Sequence, residues 1–331
     1  MADARLALVR FRNPCRQTLE SLMIEAAGLT KRYGTTLAVD DLSFSVPPGH
    51  VTGFLGPNGA GKSTTMRLIL GLDAPASGSV TVSGQPYAAY RRPLFQAGAL
   101  LEAKAFHGGR SARNHLLCLA LSNGISPARV DKVLELVGLG SVARKRAGGF
   151  SLGMSQRLGI AAALLGDPPV LMLDEPVNGL DPEGVRWIRT LLKALAAEGR
   201  TVLLSSHLMS EMSLTADRLI IIGRGRLIAQ TTVQDFLAAG SGGYVRVRSP
   251  QASALADLLT ARGAAVARQA GHTLSITGAS CDAIGEIARQ NGFTLQELSE
   301  HQASLEERYM EFTGDSVDYR AAGGALAPGR N

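Results

Sequence analysis

The sequence has no apolar run long enough to cross a membrane as a helix. Its apolar stretches are short, as where Ile160 to Leu165 is soon followed by Asp167, whereas a membrane span needs roughly 18 consecutive apolar residues. Cysteine is also scarce, and the three cysteines form no CxxC pair. This pattern fits reduced thiols in the cytoplasm, with Cys118 and Cys281 expected to be buried. These absences argue against an integral membrane protein and a disulfide-rich secreted one.

The composition is otherwise that of a folded protein. The chain has 331 residues, 45% hydrophobic and 19% charged, and this length favours two domains. Lysine and arginine exceed the acidic residues by 34 to 28, which leaves nucleic acid or an anionic membrane surface open as a partner. Residues 241–317 reverse the sign, with nine acidic residues against six arginines. The basic balance therefore belongs to the earlier part of the chain.

Strand and helix patterns alternate in that earlier part. Val51 to Leu55 and Val170 to Leu173 are apolar segments of strand length, and Pro182 to Ala197 shows helical spacing before the strand pattern Thr201 to Ser205. Continuous apolar strands between helices predict an α/β fold with a buried parallel sheet. Between Ala112 and Leu165, helical spacing occurs in three segments and predicts a helical insert: Ala112 to Leu121, Pro127 to Val137 and Gln156 to Leu165.

A second, smaller α+β domain is predicted after the glycine-rich joint at residues 240–243. Its pattern follows a βαββαβ order, which favours a ferredoxin-like module over residues 241–317. Its last strand is expected at Thr294 to Leu298, and Ser304 and Glu307 form a capping-box pattern before the last helix. Residues 318–331 are rich in glycine, alanine and proline and predict a flexible tail.

Two interpretations apply to residues 1–22, which contain four arginines. The segment is either the product of a misassigned start, with the chain beginning at Met23, or a basic arm at a membrane surface. The sequence does not choose between them.

A glycine-rich segment follows the strand pattern that ends at Leu55. It matches GxxxxGK[ST] between a strand and a helix, so its backbone N–H groups and the helix N-terminus can bind phosphates. Lys62 supplies a positive charge to the β- and γ-phosphates, and Ser63 can bind Mg²⁺. The predicted nucleotide-binding residues are Gly56, Pro57, Asn58, Gly59, Ala60, Gly61, Lys62, Ser63 and Thr64.

Two adjacent carboxylates, Asp174 and Glu175, end the buried strand pattern at Leu173. Ligands of open α/β sheets bind at the carboxyl ends of the strands. Asp174 is therefore predicted to hold Mg²⁺ through water, and Glu175 to orient or deprotonate the water that attacks the γ-phosphate.

With these motifs in order, residues 23–240 resemble the ATPase subunits of ATP-binding-cassette (ABC) transporters. The segment from Phe150 to Arg157 resembles the family's LSGGQ signature. Asn178 to Asp181 resembles its D-loop, and His207 its switch histidine. Tyr33 lies where the family stacks an aromatic ring on adenine.

The resemblance implies a RecA-like core with a helical subdomain at about residues 98–166. It also implies a head-to-tail dimer of ATPase subunits, in which Ser151 and Gly153 contact the opposite subunit's nucleotide and Asp181 couples the two sites. His207 would contact the γ-phosphate. ATP and Mg²⁺ are the expected ligands.

Two positions depart from the family pattern. Glu102 stands where the family usually has the glutamine of its Q-loop, and a carboxylate there could bind Mg²⁺ or orient water. The signature keeps Ser151 and Gly153 but has Phe150, Leu152 and Met154 in place of the family's leucine, glycine and glutamine. In both respects the chain resembles the ATPases of bacterial drug and antibiotic exporters of the bacitracin and daunorubicin type.

The resemblance therefore implies an ATP-hydrolysing subunit at the inner face of the cell membrane. Its expected partners are a second copy of this subunit and a permease on a separate chain that exports a drug, antibiotic or other hydrophobic compound, with no nucleic acid. The alternative is a soluble ABC ATPase acting on ribosomes or nucleic acid, which the basic charge supports. A non-catalytic nucleotide-binding regulator is a third possibility.

Overall fold

The computed structural model describes residues 23–239, 243–301 and 304–313, so the predictions for residues 1–22 and 318–331 lie outside the described residues. The chain divides into two compact units, the first running to Thr231 and the second beginning at Thr232. This division precedes the predicted boundary after residue 240 because Phe236, on a short helix, packs on Phe312 of the last helix, with ring centroids 5.6 Å apart. No helix in the described ranges is long and apolar enough to span a membrane.

The first unit alternates strands and helices. Its strands are β1 (Ile24–Tyr33), β2 (Thr36–Val46), β3 (Val51–Leu55), β4 (Ser77–Val82), β5 (Ala97–Leu100), β6 (Val170–Asp174), β7 (Thr201–Ser205), β8 (Arg218–Gly223) and β9 (Arg226–Thr232). Its helices are α1 (Lys62–Ile69), α2 (Ala112–Ser122), α3 (Pro127–Leu136), α4 (Leu152–Leu164), α5 (Pro182–Ala197) and α6 (Met209–Thr215).

Six strands form the central sheet in the order β5-β6-β7-β3-β8-β9, and the first five pair in parallel. β3 and β7 are buried along their whole length, as expected of parallel strands covered on both faces. A second, antiparallel sheet has the order β2-β1-β4, and Phe44 of β2 packs on Phe54 of β3 with ring centroids 5.7 Å apart. The sheet confirms the predicted α/β class.

The helical segment consists of α2, α3 and α4, and it begins at Ala112, as the helical spacing predicts and later than the start at about residue 98 that the family resemblance implies. Gly98 and Leu100 belong to β5 of the central sheet, which corrects the predicted start of the helical subdomain at residue 98. The reason is that Gly98 pairs with Leu171 of β6. α4 packs closely on this strand, since a Cβ on Gly98 would lie 1.8 Å from the carbonyl oxygen of Ala163. β5 is thus part of the sheet, and α4 covers it.

The second unit is a four-stranded antiparallel sheet with helices. Its elements are α7 (Val233–Ala238), β10 (Tyr244–Arg248), α8 (Ala252–Ala261), β11 (Ala265–Gln269), β12 (Thr273–Thr277), α9 (Cys281–Gln290), β13 (Glu297–His301) and α10 (Leu305–Thr313). The strand order is β11-β12-β10-β13, so each βαβ half leaves a gap that a strand of the other half fills. Val247, Leu255, Ile276 and Ile284 are fully buried between the sheet and α8 and α9.

The last strand begins three residues later than predicted, at Glu297 rather than Thr294. Phe293 and Leu295 pack against the core of this unit, while the Thr294 N–H donates to the side chain of Gln251 at 3.2 Å. This stretch is therefore an irregular segment held by side chains. The capping box before α10 forms as predicted, because Ser304 N–H donates to Glu307 and Glu307 N–H donates back to Ser304 Oγ.

The expectation of buried cysteines is wrong for the two that the structure describes. Cys118 is exposed, and Cys281 is partly exposed. α2 instead buries the face that carries Leu116 and Ala120, which leaves Cys118 on the opposite side.

Candidate active site

The glycine-rich loop between β3 and α1 takes backbone conformations that require glycine. Gly59 and Gly61 have φ values of +81° and +100°, a region that other residues rarely adopt. A Cβ on Gly61 would also lie 2.5 Å from the carbonyl oxygen of Ala38. The loop therefore packs tightly on β2 while leading directly into the N-terminus of α1, where phosphates are favoured.

Lys62 is the first residue of α1, and it folds back over the loop. Its Nζ donates to the carbonyl oxygens of Gly56 at 2.6 Å and Pro57 at 3.2 Å. Burial lowers the pKa of this ammonium, while the carboxylates of Glu175 and Asp174 act in the opposite direction. A positive charge thus lies between the glycine-rich loop and the paired acids, as phosphate binding requires.

Ser63 and Asp174 are far apart in sequence but in direct contact in the fold. Ser63 Oγ donates to Asp174 Oδ2 at 2.7 Å, and Ser205 Oγ donates to the other carboxylate oxygen, Asp174 Oδ1. Hydroxyl and carboxylate oxygens are the ligands that Mg²⁺ prefers. Ser63 and Asp174 therefore fit the predicted magnesium ion.

Glu175 lies just past the end of β6 in an unusual backbone conformation. Its φ is +49°, which is uncommon for a residue with a side chain and is found preferentially at functional sites. The Glu175 N–H donates to the carbonyl oxygen of Ser205 at 3.2 Å and to its Oγ at 3.0 Å. The conformation is thus held by the end of β7.

His207 meets the side chain of Glu175. Its Nδ1 lies 2.8 Å from Glu175 Oε2, and its backbone N–H donates to the same oxygen at 3.3 Å. The structure therefore brings together Lys62, Ser63 and Asp174 with the Glu175–His207 pair at the carboxyl edge of the central sheet.

Tyr33, at the end of β1, is 46% exposed, and hydrogen bonding fixes the orientation of its side chain. Its hydroxyl donates to Asp73 Oδ2 at 2.7 Å, and Arg67 Nε donates to the same oxygen at 2.7 Å. Arg67 and Tyr33 together hold the pKa of the Asp73 carboxyl down to about 2. Lys31 Nζ lies 5.1 Å from the ring centroid. The remaining ring surface can stack on a flat apolar group.

Ser151 and Gly153 lie at the start of α4 beside the predicted D-loop of the same chain. Ser151 caps α4 by accepting from the N–H of Met154, and a Cβ on Gly153 would lie 2.8 Å from the carbonyl oxygen of Gly179. Asp181 caps α5 by accepting from the Gly184 N–H at 2.8 Å. Within one chain, Gly153 thus packs against Gly179, and in the described residues no hydrogen bond or ion pair joins Ser151 or Asp181 to Lys62.

In the described part of the chain, the Glu102 side chain does not contact Ser63 or Asp174 through a hydrogen bond. It lies two residues past β5, the neighbour of β6, so it shares the carboxyl edge of the sheet with Asp174. Its side chain is exposed, and no hydrogen bond or ion pair joins its carboxylate to another residue in the described part of the chain. No cluster of three or more histidine, cysteine and acidic residues suited to a metal occurs there either.

Ser205 and Asp73 belong to the site, although sequence reasoning missed both. Ser205 bonds both Asp174 and the Glu175 backbone, and the available signal was its place at the end of a buried strand two residues before His207. Asp73 orients Tyr33 from just beyond the end of α1. No sequence pattern pointed to Asp73, because Tyr33, the site residue that it orients, is forty residues away.

The parallel sheet, the glycine-rich loop at the start of α1 and the paired acids at the end of β6 together define a P-loop NTPase. A family model described as "ABC transporter" matches residues 39–178, and a "Domain of unknown function" model matches residues 243–306. The ABC transporter ATP-binding protein YhcH of Bacillus subtilis is 37% identical over 304 residues, covering 89% of this chain and 97% of that protein. The chain belongs to the ATP-binding proteins of ABC transporters, and it is an ATPase.

Two further comparisons agree with this assignment. The bacitracin transport ATP-binding protein BcrA of Enterococcus faecalis is 35% identical over 307 residues, covering 88% of this chain and 96% of that protein. A solved structure titled as the ATP-binding subunit of an ABC transporter has a TM-score of 0.60 and 29% identity, covering 66% of this chain and 92% of that one. The predicted family is confirmed, and the alternative of an ATPase acting on ribosomes or nucleic acid is not favoured.

Proposed function

We propose that the residues at the carboxyl edge of the central sheet bind and hydrolyse MgATP. The glycine-rich loop from Gly56 to Thr64 holds the phosphates, with Lys62 as the charged group. Ser63 and Asp174 hold Mg²⁺, which when bound neutralises charge on the phosphate oxygens. Tyr33 stacks on the adenine ring.

In this proposal Glu175 is the general base. One Glu175 carboxylate oxygen accepts a proton from the attacking water as the water oxygen forms a bond to the γ-phosphorus, and the bond from that phosphorus to ADP breaks. His207, at 2.8 Å from Oε2, holds the carboxylate and contacts the γ-phosphate. The single observation that carries the assignment is this Glu175–His207 pair beside the Ser63–Asp174 contact.

The proposed working unit is a head-to-tail dimer of these chains bound to a permease on separate chains. Ser151 and Gly153 lie at the N-terminus of α4, a place suited to phosphate, and they serve the nucleotide of the partner subunit. Asp181 couples the two sites. The proposed location is the cytoplasmic face of the cell membrane, with the ATPase attached through its permease.

We further propose that the permease exports an antibiotic or a similar hydrophobic compound. Support comes from BcrA, whose name assigns it to bacitracin transport and whose sequence aligns with this chain over nearly its whole length. In the native host, replacing the wild-type gene by the Glu175→Gln variant should increase sensitivity to at least one cell-envelope antibiotic. Unchanged sensitivity to a broad panel would count against this cargo class.

Affinity purification from detergent-solubilised membranes tests the transport assignment. The expected result is recovery of an integral membrane protein in a fixed ratio to the tagged chain. Recovery of ribosomes or DNA, released by raising the salt concentration as expected of phosphate contacts, would contradict it.

A further inference from the structure

Gln156 is a buried polar side chain to which the proposed mechanism gives no role. It lies on α4, is 3% exposed, and donates through Nε2 to the backbone carbonyl oxygen of Glu175 at 2.9 Å. Its Oε1 is buried and has no hydrogen-bond partner among the described residues. If the amide were rotated by 180°, Gln156 Oε1 would face the carbonyl oxygen of Glu175, and two acceptors cannot form a hydrogen bond. The bond to Glu175 therefore fixes the amide orientation.

The backbone of Glu175 is held on both sides. Ser205 on β7 accepts from its N–H, and Gln156 on α4 donates to its carbonyl. Between these two bonds the residue has a φ of +49°, which a side-chain-bearing residue keeps only when its surroundings enforce it. The direction of the Glu175 carboxylate toward His207 therefore depends on Gln156 as well as on Ser205.

Gln156 also connects Glu175 to the N-terminal end of α4. Ser151, the N-cap of that helix, comes five residues earlier, which corresponds to about 7.5 Å along a helix axis. α4 is packed so closely on β5 at Gly98 that it can shift only with the residues around it.

We propose that Gln156 is a positioning residue through which α4 sets the backbone conformation of Glu175. This conformation in turn sets the orientation of the Glu175 carboxylate, the proposed general base. This inference rests on the proposed role of Glu175. Gln156 lies too deep in the fold to meet nucleotide, so its loss should impair the chemical step and leave nucleotide binding unchanged.

The test compares Gln156→Met with the wild-type full-length chain in a steady-state ATPase assay. Methionine has similar length but no donor, so kcat should fall about 10- to 100-fold, as expected for a misplaced catalytic group, while KM for ATP should stay within about twofold. The matched control is Gln230→Met, because Gln230 on β9 also donates through Nε2 to a backbone carbonyl oxygen, that of Ser45 at 2.9 Å, and lies outside the residues assigned to nucleotide binding. It should keep the wild-type kcat.

Trp187 reports whether the variant keeps the local fold. It is the single tryptophan of the chain, and the guanidinium of Arg157, the residue after Gln156, lies 4.6 Å from its ring centroid. An unchanged emission spectrum in Gln156→Met would show that α4 still packs on α5. If this variant fails to fold, Gln156→Asn replaces it, because asparagine keeps the amide but withdraws it by one methylene and should lower kcat in the same way.

A double variant separates positioning from general packing. If Gln156 acts through the Glu175 carboxylate, adding Gln156→Met to Glu175→Gln should lower the residual single-turnover rate by less than about twofold. An equal loss in both backgrounds would overturn the inference, and so would a wild-type kcat in Gln156→Met. A wild-type rate in Glu175→Gln alone would instead refute the proposed role of Glu175.

Discussion

Nδ1 of His207 lies 2.8 Å from Oε2 of Glu175, and the backbone N–H of His207 donates to the same oxygen. One carboxylate oxygen of Glu175 is thus occupied by a single residue from the loop after β7. The other oxygen is left for a further partner. A general base that removes a proton from a bound water needs one carboxylate oxygen fixed by the protein and the other able to accept the proton. The Glu175 carboxylate has this arrangement.

Glu175→Gln should lower kcat by at least about 100-fold, in the range that general bases contribute. Affinity for ATP should be retained, because the amide keeps the size of the side chain and the phosphate loop is unchanged. Phosphate-release and nucleotide-binding assays measure the two effects. Glu183→Gln is the matched control, since Glu183 is an exposed residue of α5, and it should behave as wild type.

Lys62→Ala should instead weaken nucleotide binding. The ammonium contacts the carbonyls of Gly56 and Pro57 and would bond to phosphate, and losing a charge-assisted bond reduces affinity by roughly 10- to 100-fold. Calorimetric titration with ATP measures the dissociation constant. Lys132→Ala, which removes an exposed lysine of α3, should leave affinity unchanged, and equal affinity in both variants would contradict the assignment.

Asp73→Asn should reduce stability in a way that depends on pH. The pKa of Asp73 in the fold is about 2, below its ordinary 3.8, so the folded state binds fewer protons and gains stability at higher pH. That gain is complete above the ordinary pKa and is lost as the pH falls toward 2. Urea unfolding from pH 7 to about 3 should show the difference between wild type and variant shrinking at the acid end. A difference that grows there would show that another group is responsible.

Gly98→Ala should destabilise the first unit strongly. The new Cβ would lie 1.8 Å from the carbonyl oxygen of Ala163, so α4 must move away from β5, at a cost of about 2 to 4 kcal/mol. Gly149→Ala is the matched control, because a Cβ there meets nothing within 4 Å. Chemical denaturation of both variants checks this, and similar midpoints would contradict the close packing.

An ATPase unit truncated after residue 231 should self-associate less than one truncated after residue 239. The longer fragment keeps Phe236, which is 4% exposed in the full chain, but loses its ring partner Phe312. The fragment 23–239 should therefore associate through exposed apolar surface. Size-exclusion chromatography of 23–231 and 23–239 compares them, and identical profiles would argue that Phe236 does not belong with α10.

The sequence predicted best those features that depend on neighbours in the chain. Pro182–Ala197 was predicted with its observed bounds, because Asp181 and Pro182 start the helix and its apolar residues repeat on one face. The glycine-rich loop was recognisable because the phosphate geometry itself requires those residues. These signals are local, so one sequence suffices to find them.

Features that depend on distant contacts could not be found in this way. β2 continues as one strand through Asp41, where φ is +49°, since its pairing with β1 is present on both sides of that irregularity. Gly98 joins the sheet because β6 lies beside it. The start of β13 depends on Gln251, which is far away in sequence. In each case a tertiary contact overrides the local pattern.

Both oxygens of Asp174 are bonded, one to the hydroxyl of Ser63 and one to that of Ser205, and these bonds restrict side-chain rotation within the fold itself. Immobilising a flexible side chain on binding otherwise costs about 0.5–1.5 kcal/mol of conformational entropy. Asp174, Ser63 and Ser205 have lost most of that freedom before a ligand arrives. Part of the entropic cost of the proposed MgATP binding is therefore offset when the chain folds.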